Sequence, residues 1–244
     1  MRHTRPCGTP VEQECNLIIY ITRHGQPALD ETVGPGEDNE HPPGDPVLSL
    51  LGRQQAACLG YRLATQGFKG LIFSSPYRRT LETAQIVAEI VHGSVIPEPA
   101  LQEYVLQQGV PDFIGLAFAK MRSLYPNVDS SATMPYPWFA VGPETVKKEV
   151  KQRVRGFLNV LGQRSFREAL LVGHGASIYA CLQVLLASDA AAQQDLKSTR
   201  NWNCSLSIIK INRRGLVIDK QLFDISHLPR NMHTSNALVV YQKG

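Results

Sequence analysis

Short runs of β-forming apolar residues that stop abruptly at polar residues constrain this chain more than any other feature. Leu17-Ile18-Ile19-Tyr20-Ile21-Thr22 runs into Arg23-His24-Gly25, Gly70-Leu71-Ile72-Phe73 into Ser74-Ser75-Pro76, and Glu168-Ala169-Leu170-Leu171-Val172 into Gly173-His174-Gly175. Each has the length of a buried strand and delivers polar groups at its C-terminal end. Ser94-Val95-Ile96 is a weaker run, broken by Pro97 and Pro99 before Leu101-Gln102-Glu103. If these strands are parallel, their polar ends meet on one rim, where open α/β sheets place their ligands.

Segments of helical period join the runs, as parallel strands require. Leu48, Leu51, Gln55, Cys58, Leu59 and Leu63 recur at helical spacing, with Ser49 a cap near the start and Gly67 just past the end. Pro76 opens a second helix running to about His92, and Pro143-Glu144-Thr145 opens a third to about Gln163, with Val146, Val150, Val154, Phe157, Leu158 and Leu161 on one stripe. A fourth follows from Ala176 to about Ala187. Cys204 to Ile211 and Leu216 to Phe223 resemble two antiparallel strands joined at Asn212-Arg213-Arg214-Gly215, and the segment from His227 is an irregular cover.

The 244 residues suit one domain. Residues 1–15 read as a loose tail and 16–244 as the domain. Gln26 to Pro46 forms a surface loop, and residues 104–142, with a helix near Asp112 to Leu124, form an inserted lid over the strand ends. The net charge of +4 is scattered and has no basic run interleaved with aromatics, which argues against nucleic acid. No stretch approaches the ~18 apolar residues of a membrane span. The five cysteines are odd in number and form no CxxC pair, so we expect reduced thiols in a cytoplasmic protein, with Cys58 and Cys181 as packing residues.

The expected rim gathers Arg23, His24, Arg79, Glu103 and His174. Arginine stays charged and grips oxyanions in a bidentate fork, so two of them beside a histidine favour a phosphate group. Helix starts after Gly25, Pro76 and Gly175 would add backbone donors. An imidazole attacks phosphorus once its other ring nitrogen is held protonated, and a partly desolvated Glu103 would protonate the leaving alkoxide. A metal hydrolase fits less well, because the guanidinium charges repel a cation. Arg78, by contrast, reads as a surface residue. Histidines 3, 41, 92, 227 and 233 lie in loops, tails or helix ends and read as structural.

These motifs resemble those of the histidine phosphatase superfamily from about Asn16 to Ser207. Arg23-His24-Gly25 is similar to its opening motif, Leu48 to Ala56 to its L-(S/T)-x-x-G-x-x-Q-A segment, and Ser74 to Arg79 with Thr83-Ala84 to S-S-P-L-x-R-x-x-x-T-A. Gly173-His174-Gly175 fits the second histidine motif, and Glu144-Thr145 with Arg153 fits the helix before it. The resemblance implies an α/β fold, a phosphoglycerate-mutase-like three-layer sandwich with a mostly parallel central sheet flanked by helices. It implies that His24 is transiently phosphorylated, that Arg23, Arg79 and His174 hold the phosphoryl oxygens, and that Glu103 is the proton donor. It implies no metal and no cofactor.

The chain departs from the family pattern at Pro27, where many members carry a hydroxyl, and at Asp30, where many carry asparagine. Tyr104 to Gly109 also replaces the common G-x-x-E-G. Between Tyr104 and Gly142 the cations are Lys120 and Arg122, whereas a mutase should hold a second anionic group there. The expectation is therefore hydrolysis of a phosphorylated small molecule, a protein substrate not being excluded, with neither nucleic acid nor membrane as partner. A mutase of the same chemistry and a non-catalytic binding module on this fold are the alternatives. Oligomeric state is left open.

Overall fold

The computed structural model describes residues 14–28, 45–103, 115–138 and 147–235. The elements are β1 (Cys15–Arg23), α1 (Leu50–Thr65), β2 (Leu71–Ser74), α2 (Arg78–Val91), β3 (Val95–Pro97), α3 (Phe118–Leu124), α4 (Lys147–Gly162), β4 (Glu168–Gly173), α5 (Gly175–Leu185), α6 (Ala190–Ser198), β5 (Leu206–Asn212) and β6 (Val217–Asp224), with short 3₁₀ turns at Pro99–Leu101 and Arg230–Met232. The strands form one six-stranded sheet in the order β3-β2-β4-β1-β5-β6. The first four are parallel, while β5 and β6 are antiparallel additions.

The chain moves one way across the sheet from β1 to β3 and then reverses to β4. With crossovers of constant hand, that reversal moves the helices to the opposite face. Alternate residues of each central strand accordingly feed two separate cores. Tyr20, Leu170 and Val172 pack with Leu59, Leu63, Leu81 and Val87 of α1 and α2. Ile19, Ile21, Ala169 and Leu171 pack with Val154, Leu158, Ile178 and Leu182 of α4 and α5. The sheet is thus covered on both sides, as expected for parallel strands.

Register explains why the strand ends converge. Thr22 pairs with Val172, Val172 with Ser74 and Ser74 with Pro97, so the four parallel strands finish in one row. His24 and His174 each lie two residues beyond that row, on adjacent strands.

Local signals hold at most element ends. The Ser49 side chain accepts from Gly52 N at the start of α1, and Gly67 takes φ +72° just after it. Gly215 takes φ +77° in the β5–β6 turn, where Asn212 Oδ1 accepts from Arg214 N and Leu216 N. The first strand starts earlier than Leu17, at Cys15, within the segment expected to be tail. Strand β5 starts at Leu206 rather than Cys204, which adopts φ +53°. Helix α6 was not anticipated; Asp189 caps it by accepting from Ala192 N. Cys181 is buried and Cys58 packs against a core, as expected, and the four described cysteines are free.

Of the expected lid, residues 115–138 are described, whereas 104–114 and 139–142 lie outside the described residues, as do Asp30, His41 and Glu144-Thr145. Met121, Tyr125, Val128 and Trp138 join the core on the α1–α2 face, and Val128 bridges to Val95. Trp138 is 1% exposed and donates to Leu116 O, so its role is packing, while Tyr136 is open to solvent. Among the described residues no helix is long and apolar enough to cross a membrane.

Candidate active site

The end of β1 is held by its own backbone and by α1. His24 N donates to Gly173 O on β4, and His24 O accepts from Asn203 Nδ2. Gly25 N donates to Thr83 Oγ1 of α2, whose hydroxyl donates in turn to Arg79 O. Gln26 is clamped to α1: its N donates to Gln55 Oε1, and its O accepts from Ser49 N and Ser49 Oγ. The approach is so close that a Cβ on Gly25 would meet Gly52 O at 2.4 Å, and one on Gly52 would meet Gln26 O at 2.1 Å. Only glycine allows backbone to pass backbone at that distance. The motif residues Gly25, Ser49, Gly52, Gln55 and Thr83 therefore serve to fix the loop that carries His24.

His24 is fully buried, and its Nδ1 lies 2.7 Å from Gly25 O. A carbonyl only accepts, so Nδ1 carries the hydrogen. On the other side Arg79 Nε donates to His24 Nε2 at 3.3 Å, and a guanidinium cannot accept, so Nε2 presents its lone pair. Both contacts define one neutral tautomer. Burial first, then the charges of Arg79 and Arg23, holds the His24 pKa well below the usual histidine range. The ring is thereby kept neutral.

His174 faces it with ring centroids 5.2 Å apart. It too is fully buried, with Nε2 2.8 Å from Ser75 Oγ at the end of β2 and its pKa pressed down by burial, then by Arg79, His24 and Arg23. Tyr77 lies across His174 at 4.8 Å and beneath the Arg79 guanidinium at 4.7 Å. Arg23 Nη1 donates to Asn201 O; burial lowers the Arg23 pKa, while Glu103 acts to raise it.

Glu103 follows the 3₁₀ turn after β3. Arg153 of α4 grips that turn from beneath, its Nη1 donating to Ala100 O at 2.6 Å and Gln102 O at 3.1 Å. Glu103 Oε1 accepts from Ala176 N at the start of α5, and Oε2 lies 3.9 Å from His174 Nδ1. Its side chain is 30% exposed, so it sits between the buried rings and solvent.

The structure therefore brings His24, Arg79, Glu103 and His174 together, with Arg23 close enough to act electrostatically on both rings. Two expectations are corrected. Among the described residues no helix follows Gly25 directly, its N–H being spent on Thr83, so the described helix starts at the site are those of α2 and α5. Arg78 is not a surface residue: it is 8% exposed and its N–H, at the start of α2, donates to Asp45 Oδ1. Sequence reasoning missed Asp45, which is buried beside Arg79, and Asn201 and Asn203, which hold Arg23 and the His24 carbonyl. Nothing local in the sequence marks Asp45 or the two asparagines, whose partners lie 33 or more positions away.

This chain is 28% identical over 221 residues to the probable phosphoglycerate mutase GpmB of Erwinia tasmaniensis, covering 87% of this chain and 95% of that protein. In fold it is similar to Bacillus stearothermophilus YhfR, with TM-score 0.59 at 22% identity over 87% of this chain and 100% of that one. It is likewise similar to the ecdysone phosphate phosphatase of Bombix mori, with TM-score 0.59 at 20% identity over 79% and 88% of the two chains. These likenesses confirm the expected phosphoglycerate-mutase-like α/β architecture. The family model of the histidine phosphatase superfamily (branch 1) matches residues 19–222, more than four-fifths of the molecule, and the chain belongs to that superfamily.

Proposed function

We propose that this protein is a phosphatase that hydrolyses a phosphate monoester through a phosphohistidine on His24. The observation that carries the proposal is the fixed tautomer: Gly25 O holds Nδ1–H, and Arg79 can only donate to Nε2, so the lone pair points into the cationic cleft. In the first half of the reaction Nε2 attacks phosphorus and the P–O ester bond breaks. The alkoxide leaves as an alcohol with the proton of Glu103. In the second half a water gives its proton to Glu103 and attacks the phosphohistidine, the P–N bond breaks, and inorganic phosphate leaves. Arg23, Arg79 and His174 hold the phosphoryl oxygens throughout. No step calls for a metal or other cofactor.

A mutase is the second reading, favoured by the name of the relative from Erwinia tasmaniensis. Against it, the segment from Tyr104 to Gly142, where a mutase should show extra cations, carries only Lys120 and Arg122, and both lie exposed on α3. The proposal further includes a cytoplasmic location, supported by the free thiols at positions 15, 58, 181 and 204.

The test is a panel of phosphate esters assayed by phosphate release, wild type beside His24→Ala, in chelator and without any bisphosphoglycerate. We expect turnover of a generic aryl phosphate by the wild type alone and an acid-labile phosphoenzyme at His24. Strict dependence on a bisphosphorylated primer would establish the mutase instead, and loss of activity in chelator would establish a metal requirement.

A further inference from the structure

Asp45 takes no part in the chemistry proposed above, yet it is fully buried beside it. Its Oδ1 accepts from Arg78 N at 2.8 Å and lies 3.8 Å from Nη1 of Arg79, whose Nε reaches the nucleophilic nitrogen of His24. Its Oδ2 is buried without a hydrogen-bond partner. Burying a carboxylate costs several kcal/mol unless a cation compensates. If the position only had to receive the Arg78 N–H, serine or asparagine would do so without that cost. Among the described residues, the titratable groups that face Asp45 are Arg78 and Arg79 of α2 and the phenols of Tyr77 and Tyr125. Of these, Arg79 links it to the reacting atoms.

We propose that Asp45 is a positioning residue for phosphoryl transfer, an anionic backstop that fixes the rotation of the Arg79 guanidinium against His24. A guanidinium is planar, with its donors in a rigid fork. Holding Nη1 toward Asp45 limits the rotation of that plane, so that when Nε gives up the His24 Nε2 lone pair to an arriving phosphorus the guanidinium turns to the phosphoryl oxygens about a fixed anchor. The Tyr77 ring supports the same group by its face, which holds position but leaves in-plane rotation free. Desolvation pushes the Asp45 carboxyl up to about 6, so its charge, and with it the hold on Arg79, is lost in mildly acidic solution.

This inference rests on the phosphohistidine reading, and its test separates the two. Asp45→Asn keeps an oxygen for the Arg78 amide and removes the charge. Wild type, Asp45→Asn, Arg79→Ala, the double variant and His24→Ala are compared with p-nitrophenyl phosphate from pH 5 to 8, with thermal melts to confirm folding. We expect kcat of Asp45→Asn to fall about tenfold with KM changed less than about threefold, the effect of misorienting one donor. The decline of kcat/KM below pH 6 should be steeper in wild type than in Asp45→Asn, the substrate's own ionisation being common to both. The substitution should add less than about twofold to the loss in Arg79→Ala, because it acts through Arg79. Wild-type kcat with an unchanged acid limb in folded Asp45→Asn would overturn the proposal, and so would full additivity with Arg79→Ala. If Asp45→Asn does not fold, Asp45→Ser, with a smaller side chain that still accepts from Arg78 N, carries the same comparison. An active His24→Ala sinks the phosphohistidine reading itself, whereas an inactive one beside a wild-type Asp45→Asn sinks only the role of Asp45.

Discussion

Gly52→Ala is the sharpest test of the link between fold and site. The added Cβ would lie 2.1 Å from Gln26 O and 2.9 Å from Gln26 N, where ordinary contact begins near 3.4 Å. Both are backbone atoms, so no rotamer change relieves the clash, and α1 and the His24 loop must part by about 1 Å. That separation strains the bonds from Ser49 N and Ser49 Oγ to Gln26 O and from Gln26 N to Gln55. Overpacking of this kind costs about 1–3 kcal/mol, which in a chain of this size lowers the melting temperature by about 3–10 °C. The larger effect should fall on turnover, because a displacement of about 1 Å at a reacting group costs up to ~10²-fold. Gly156→Ala is the matched control: it lies within α4 with no atom within 4 Å of its added Cβ, and should stabilise the helix by about 0.5–1 kcal/mol at unchanged kcat. The assay is thermal unfolding together with p-nitrophenyl phosphate turnover for both variants. A Gly52→Ala protein with wild-type melting and kcat would refute the claim that backbone contact with α1 positions the nucleophile.

Three further outcomes follow from the same geometry. Glu103→Gln should slow the phosphorylation half-reaction, read as the pre-steady-state burst of alcohol, by about 10²-fold or more for alkyl phosphates while sparing the burst from aryl phosphates, whose leaving groups need no proton. Steady-state turnover of both should fall because Glu103 also serves the attacking water, and an equal loss of burst rate on both would remove Glu103 as the acid. Arg153→Ala leaves the carbonyls of Ala100 and Gln102 without their donor and loosens the turn bearing Glu103, so kcat should drop about tenfold with KM little changed; an unaltered kcat would show that the turn holds itself. For stability against pH, His24 and His174 keep folded values well below their usual 6.5, so the unfolded chain binds two protons that the folded one does not, and stability falls as pH drops below about 6.5. Asp45 acts in the opposite sense between its usual 3.8 and about 6, where the folded state holds the extra proton. Chemical denaturation should therefore show stability falling from pH 7 to 5 by at most about 1.4 kcal/mol per unit, the two protons taken up by the unfolded histidines being offset in part by the one that folded Asp45 takes up below about 6. Constant stability from pH 7 to 5 would contradict the burial of neutral rings.

What could be read from the sequence was whatever a short window encodes. An apolar run ending in Arg23-His24-Gly25 states both its strand and its polar terminus, and Ser49 and Gly67 state the limits of α1. Asp45 could not be read in this way, because its meaning lies in a contact 33 positions away with the start of α2. The surface assignment of Arg78 failed for the same reason: that contact buries the first turn of α2. Helix α6 was missed because Ala190-Ala191-Ala192-Gln193-Gln194 shows no apolar stripe, and the cap at Asp189 was the one local sign of it.

The two arginines serve the reaction twice. A histidine held at 1% exposure has a low pKa from burial alone, and the charges of Arg79 and then Arg23 lower it further. On the proposed reaction, the same charges that would bind a phosphoryl dianion thus favour the unprotonated form of the nucleophile. On that proposal an entering dianion would offset the charge of the arginines as the N–P bond forms. Preorganised cations around a fixed neutral imidazole would, in the same reaction, stabilise the charge on the phosphoryl oxygens in the transition state of attack by Nε2.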